Sequence, residues 1–275
     1  MKYIDIHSHV YFPDYDADRE EVISRAAKAD VGIITVGTDL ESSRQAIALA
    51  ETHENMWAIV GLHPVDAGDE GHVIAGNTPA EIFDYEAFKK IAQHPKVVAI
   101  GECGLDYFHM PFNAEYQREI FIKHIELANE VKKPLMLHVR NGKGGAENAD
   151  KTNAYQDALV ILKAYAKVPF NFHFFAGSPT DLKDIIAADG NVSFTGVITF
   201  VRDYDELVKT VPPDKIMSET DAPFVSPAPY RGKRNEPAYV IEVAKKIAEI
   251  RAQNGDDAEM VLTTLVENAK KFFSI

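Results

Sequence analysis

Apolar residues follow two alternating rhythms along the chain. Short β-branched or apolar runs recur at 3–9, 32–37, 57–62, 97–102, 134–138, 171–175, 192–195 and 216–219. Each has strand length and strand composition. Segments with helical spacing lie between and after them, near 16–29, 41–54, 84–94, 114–132, 153–167, 179–189, 203–210, 236–253 and 257–273. In the segment from 236, Val240, Val243, Ala244, Ile247 and Ile250 stand at offsets of three, four, seven and ten, on one helical face.

Regular strand–helix alternation requires parallel strands, and eight repeats favour a closed TIM-like (β/α)8 barrel over an open doubly wound sheet. The expectation is one α/β domain over residues 1–275, since such barrels commonly hold roughly 250 residues. Active sites form where barrel strands end at their C-terminal face. Two connections after strands are long: 66–81, with Gly68, Gly71, Gly76 and Pro79, and 141–151, with Gly142, Gly144 and Gly145. They read as mobile loops over that face and as candidate lids. Lys143 lacks the following Ser or Thr of a phosphate loop.

Hydrophobic residues make up 46% of the chain, which predicts a large packed core. No apolar run approaches the roughly 20 residues of a membrane span, and Met1 leads straight into the first strand, so no membrane association and a cytoplasmic location are expected. Cys103 is the sole cysteine. A metal must therefore use His, Asp or Glu. The net charge of −13 argues against broad electrostatic binding of long nucleic acid. A polyanionic substrate would need a local basic site.

Candidate chemistry gathers where the predicted strands end. His7 and His9 are two apart on the first strand and point to one side, so both imidazoles can reach one ion. Glu102 closes the apolar run 98–101, where a carboxylate needs a cation. His138 and His173 are polar residues in apolar strands, and Asp221 precedes Ala222-Pro223 after the last strand. Singly, each reads as a core histidine or a turn aspartate. Together, His7, His9, Glu102, His138, His173 and Asp221 fall on one rim. Four imidazoles and two carboxylates exceed what one tetrahedral ion needs, so two divalent ions sharing a carboxylate are expected. Nitrogen-rich ligation favours zinc, manganese or a similar transition ion over magnesium on intrinsic affinity.

Arg231, Lys233 and Arg234 surround Gly232 after the last strand and supply the basic site an acidic chain would need for phosphate. His63 sits on the same rim as a substrate-binding candidate. Tyr107 reads equally as pocket lining or core.

The motifs 4–9 (Ile-Asp-Ile-His-Ser-His), 61–64 (Gly-Leu-His-Pro), 100–107 (Ile-Gly-Glu-Cys-Gly-Leu-Asp-Tyr) and 218–223 (Ser-Glu-Thr-Asp-Ala-Pro) resemble those of the TatD-related metal-dependent deoxyribonucleases. Residues 231–237 and Asn268-Ala269 fit the same family, and the resemblance runs from residue 1 to about 273. It implies an amidohydrolase-type barrel with two metals that acts on DNA, often as an exonuclease that trims 3′ ends; the DNA partner is expected to be single-stranded or a 3′ end. By motif, His7, His9, Glu102 and Asp221 would hold one ion, and Glu102, His138 and His173 the other. Arg140, two residues past His138, also fits the pattern and would touch phosphate. Phe174 and Ala176 stand where the family usually has Cys and Ser, and both long loops look like insertions.

The expected mechanism has the ions activate a water whose proton Asp221 accepts, while Arg231, Lys233 and Arg234 steady phosphate charge. A small-molecule hydrolase acting on an ester, lactone or amide is the alternative on the same barrel. A non-catalytic nucleic-acid binder is a third reading. Oligomeric state stays open, with a monomer compatible.

Overall fold

The computed structural model describes residues 1–68, 73–74, 78–79, 81–109, 112–143 and 153–275. Eight strands form one parallel sheet in sequence order: β1 (Tyr3–Ser8), β2 (Val31–Val36), β3 (Met56–Val60), β4 (Val97–Asp106), β5 (Leu135–Arg140), β6 (Phe170–Phe172), β7 (Asn191–Phe194) and β8 (Ile216–Ser218). Helices α1 (Arg19–Lys28), α2 (Leu40–Thr52), α3 (Tyr85–Ala92), α4 (Ala114–Val131), α5 (Ala154–Tyr165), α6 (Pro179–Ala187) and α7 (Asp205–Thr210) alternate with them. Helices α8 (Val240–Ala252) and α9 (Ala258–Phe273) follow β8. Several starts are set by local chemistry: Asp39, Asp84, Asn113, Asn153 and Ser178 each accept a hydrogen bond from a backbone N–H of the first turn.

The sheet is a nearly closed TIM-like barrel. Its seam is joined where the chain after β8 meets the end of β1: His9 N donates to Ala222 O at 2.7 Å and Asp221 N to His7 O at 2.9 Å. The Asp5 carboxylate reinforces the seam by accepting from Thr220 N at 2.8 Å and Thr220 Oγ1 at 2.6 Å.

Alternation along the strands divides the core in two. Residues such as Ile33, Ala58, Leu135, Leu137 and Phe172 pack in one cluster with the helices. Ile4, Ile6, Ile34, Val36, Ile59 and Met136 form a second, filling the barrel, which Val266, Ala269 and Phe273 of α9 join. The tight fit of β-branched residues leaves little room below the mouth, so chemistry is confined to the strand ends.

Strand ends expected from the sequence agree within a residue or three, with one exception. The fourth strand continues to Asp106, four residues past the expected end at Glu102. The predicted helix from 203 opens with a short 3-10 turn, Arg202–Tyr204, before α7. Within 66–81, Val73–Ile74 pairs antiparallel with Thr78–Pro79. The lid expectation for residues 66–81 and 141–151 falls largely outside the described residues. Among the described residues, no helix is long and apolar enough to cross a membrane.

Candidate metal centre

Two strands reach the mouth through irregular ladders. On β1, Asp5 pairs with Ile33 but Ser8 with Thr35, so β1 advances three residues while β2 advances two. Simple alternation would put His7 on the face opposite Ile4 and Ile6. The extra residue turns His7 and His9 into the mouth and leaves Asp5 to the seam. On β4, Ile100 pairs with Leu135 and Cys103 with Leu137, the same three-for-two slip, and Glu102 lies inside it.

Glu102 stands at the centre. Its Oε1 lies 2.8 Å from His173 Nε2, 3.0 Å from His138 Nδ1 and 3.4 Å from His63 Nε2. Its Oε2 lies 3.2 Å from His7 Nε2 and 3.8 Å from His9 Nε2. Asp221 Oδ1 approaches His9 Nε2 at 3.5 Å and His7 Nε2 at 3.8 Å. Two donor groups of metal-binding size result, His7 with His9 and Glu102, and His63 with Glu102 and His138. Both contain Glu102. A third group, His7 with His173 and Glu219, overlaps the first.

The buried nitrogens test whether these residues suit a metal. His7 is wholly buried; among the described residues its Nδ1 has no partner, and its Nε2 faces Glu102 Oε2 at 3.2 Å without hydrogen-bond geometry. Such orphaned groups are costly inside a protein, and a cation at Nε2 accounts for this one. His9 donates Nδ1–H to Val36 O at 2.7 Å, which leaves the Nε2 lone pair facing Glu102 and Asp221. His138 gives Nε2–H to Asp106 Oδ2 at 2.8 Å, so Nδ1, 3.0 Å from Glu102 Oε1, is the nitrogen turned to the site. A carboxylate behind an imidazole is the usual support of a metal-binding histidine. The set is nitrogen and carboxylate only, which suits a transition-metal dication.

Burial favours the neutral acid at Glu102, but the surrounding imidazoles of His173, His7 and His63 outweigh it and hold the carboxyl well below its usual range. At His7, burial and the neighbouring His173 lower the imidazole pKa. Burial also opposes ionisation of Asp221, and a bond from His9 with the charges of His173 and His7 pulls it below the ordinary aspartate value. The Asp221 side chain is 12% exposed against 4% for Glu102. It is the more accessible of the two.

The sequence reading missed four supports. Asp106 holds His138 and also accepts from the backbone N–H groups of Phe108 and His109 at 2.8 and 2.9 Å. Glu219 accepts from Ser193 Oγ at 2.8 Å and lies 3.6 Å from His173 Nδ1. Asp5 closes the seam. Asn235, fully buried, donates Nδ2–H to Thr220 O at 3.0 Å and Phe224 O at 2.6 Å, bracing the turn in which Asp221 takes a left-handed φ of 55°. The signal for all four was a carboxylate or amide inside a motif already marked.

The expected substrate-binding residues separate. His63 joins the centre. Arg140 and Arg231 reach the rim, where their guanidinium carbons lie 3.8 and 3.9 Å from the ring centres of Phe108 and Phe200. Lys233 is exposed. Tyr107 is turned into the core, 2% exposed, its hydroxyl donating to Asp157 Oδ2 at 2.8 Å. Arg234 is committed elsewhere: its two terminal nitrogens bond both oxygens of Asp18 at 2.8 and 2.7 Å, and the group lies over Tyr15. Partners distant in sequence draw these two away from the mouth.

A barrel with clustered imidazoles and carboxylates at its C-terminal mouth defines a metal-dependent hydrolase. The family described as TatD related DNase matches residues 4–274, and the chain belongs to it. The metal-dependent hydrolase YabD of Bacillus subtilis is 36% identical, with 98% of each chain covered. The 3′-5′ ssDNA/RNA exonuclease TatD of Escherichia fergusonii is 30% identical, again with 98% of each covered. Among solved structures, the TatD homologue YjjV of Escherichia coli superposes with a TM-score of 0.80 at 25% identity, covering 100% of this chain and 98% of that one. The protein is a metal-dependent hydrolase acting on ester bonds.

Proposed function

We propose that the protein is a two-metal deoxyribonuclease that removes nucleotides from the 3′ end of single-stranded DNA. The observation that carries the reading is Glu102, whose two oxygens face two different imidazole groups, His7 with His9 and His138 with His173 and His63. His7, His9, Glu102 and Asp221 hold one ion; Glu102, His138 and His173 hold the second. The relatives named as single-strand exonucleases support the choice of substrate.

When bound, the ions supply an activated water and polarise the phosphoryl oxygen. The protein's residues do the rest. Asp221, the more exposed of the two site carboxylates, accepts the proton of the attacking water at Oδ1. Asp106 holds His138 in the tautomer with a free Nδ1 lone pair. Glu219 stands behind His173. Arg140 and Arg231 take phosphate charge at the rim.

A small-molecule ester or lactone hydrolase is the second reading, and the net charge of −13 favours it. Incubating metal-loaded protein with a 5′-labelled oligonucleotide and a lactone panel separates the two. A ladder shortening from the 3′ end, absent with chelator, is the expected result. Lactone turnover without a ladder would reject the nuclease reading. Asp221→Asn should abolish the ladder while the far-UV circular dichroism stays that of the native barrel.

A further inference from the structure

The chain contains nine arginines, and seven of them form an ion pair with Asp or Glu. Among the described residues, Arg140 and Arg231 form none. Both lie on the mouth side of the barrel, and each rests its guanidinium on a phenylalanine, Phe108 and Phe200 respectively. In a chain with 42 acidic residues, two arginines without a carboxylate partner among the described residues are the exception that asks for a reason.

The stacking geometry supplies one. A guanidinium seated on a ring uses its flat face, and its N–H donors lie in the plane and radiate outward. Arg231 spends one donor on Ser226 O at 2.9 Å. Arg140 spends none on the described residues. The remaining in-plane donors form the planar fork that matches phosphate. Phe200 is 39% exposed, so its ring is not in place to fill the core.

Both seats are fastened to the metal centre or to each other's loops. Phe108 N donates to Asp106 Oδ1, and Oδ2 of the same carboxylate takes the His138 proton. Thr199, beside Phe200, accepts from Ala228 N at 2.8 Å and so ties the loop after β7 to the loop that carries Arg231. Phe108 follows β4 and Arg140 ends β5; Phe200 follows β7 and Arg231 follows β8. His173, just past the end of β6, stands between the two seats. Adjacent strands lie roughly 4.8 Å apart, so β5 and β8 are separated by roughly 14 Å of barrel wall. Seats anchored on different strands place the two forks for separate phosphates.

We infer that Arg140 and Arg231 grip different phosphates of one single-stranded chain, and that Phe108 and Phe200 are positioning residues that hold the two guanidinium groups in place. The inference rests on the nuclease reading and sharpens it: the substrate is an oligonucleotide of several phosphates, and a lone phosphodiester forgoes part of the grip.

The test is fluorescence anisotropy with 5′-fluorescein oligothymidylates of two to eight residues, measured against salt, in the non-cleaving Asp221→Asn background. The parent is expected to gain affinity as the chain grows past the span between the seats. Arg140→Gln and Arg231→Gln should each cut that gain and lower the slope of log affinity against log salt by roughly 0.7, the single-strand value for one phosphate contact. Phe108→Leu and Phe200→Leu should lose part of the same slope, and Phe200→Tyr should restore it. Unchanged slope and length dependence in both arginine variants, with the parent still binding, overturns the inference alone. Failure of the parent to bind any oligothymidylate overturns the nuclease reading and this inference together.

Discussion

His7 at the barrel mouth and His124 on α4 are both wholly buried, and the protein treats them in opposite ways. His124 has a partner on each side: Nδ1–H donates to Ile120 O at 2.8 Å, and Nε2 accepts from Leu62 N at 2.9 Å. His7 has neither nitrogen satisfied and stacks on His173 at 3.9 Å. Burial therefore does not separate a structural histidine from a functional one. What separates them is whether the fold itself completes the ring's hydrogen bonds. At His7 the incomplete ring lies beside the Glu102 and Asp221 carboxylates, which is where a cation fits.

The largest effect expected from this contrast is at the shared carboxylate. Glu102→Gln keeps the volume and removes the charge that faces both imidazole groups. Hydrolysis should fall at least about 10³-fold, roughly 4 kcal/mol of transition-state stabilisation, with reduced metal content. Steady-state rates and elemental analysis on one preparation check both. Retained metal with an unaltered rate would mean that the two groups do not depend on Glu102.

At His124 the expected effect is on folding and its dependence on pH. Burial pushes its pKa down to about 4, so the folded protein keeps the ring neutral where the unfolded chain, near 6.5, already binds a proton. Its contribution to stability is complete above about pH 6.5 and declines as pH falls toward 4. The whole window is worth about 3 kcal/mol. Urea unfolding of the parent and His124→Gln at pH 7 and pH 4.5 should show the parent's advantage shrinking at the lower pH. An advantage that does not change with pH would contradict a neutral buried ring.

Asp106 stands between the two extremes, a structural carboxylate that acts on a metal-binding imidazole. Asp106→Asn should weaken metal affinity or turnover by about 10–100-fold, the usual cost of losing such a support. The His138 orientation reports through the metal: competition against a chelator is expected to show the loss, and equal affinity would place Asp106 outside the centre.

Much of this was legible in the sequence, and what was not shares one cause. Periodicity located all eight barrel strands because each buries a regular face against helices. The six metal-binding candidates were visible as polar residues at the ends of apolar strands. The slips on β1 and β4 were not, because a ladder irregularity depends on the neighbouring strand. Parity alone groups Asp5 with His7 and His9, and only the slip sends it to the seam. Asp106 looked like part of a loop because its partner His138 lies 32 residues away. Likewise Arg231 and Arg234 sit in one basic run, and nothing local shows that Asp18, 216 residues upstream, claims the second.

That pair offers the finest contrast and the smallest expected effect. Arg231 and Arg234 are three residues apart on one loop; the first lies over Phe200 with no ion pair among the described residues, and the second closes a two-pronged bond to Asp18, which also meets Arg25 at 3.6 Å. Both partners of the Arg234 pair are partly exposed, which screens the attraction, so Arg234→Ala should cost only about 1 kcal/mol. That corresponds to a melting temperature lower by roughly 2–4 °C. Its salt slope for single-stranded DNA should stay at the parent value, because its donors are already spent within the protein. Calorimetry and anisotropy read the two quantities independently. A flattened salt slope with unchanged melting would move Arg234 into the phosphate-binding rim, and the distinction drawn between paired and unpaired cations would no longer hold.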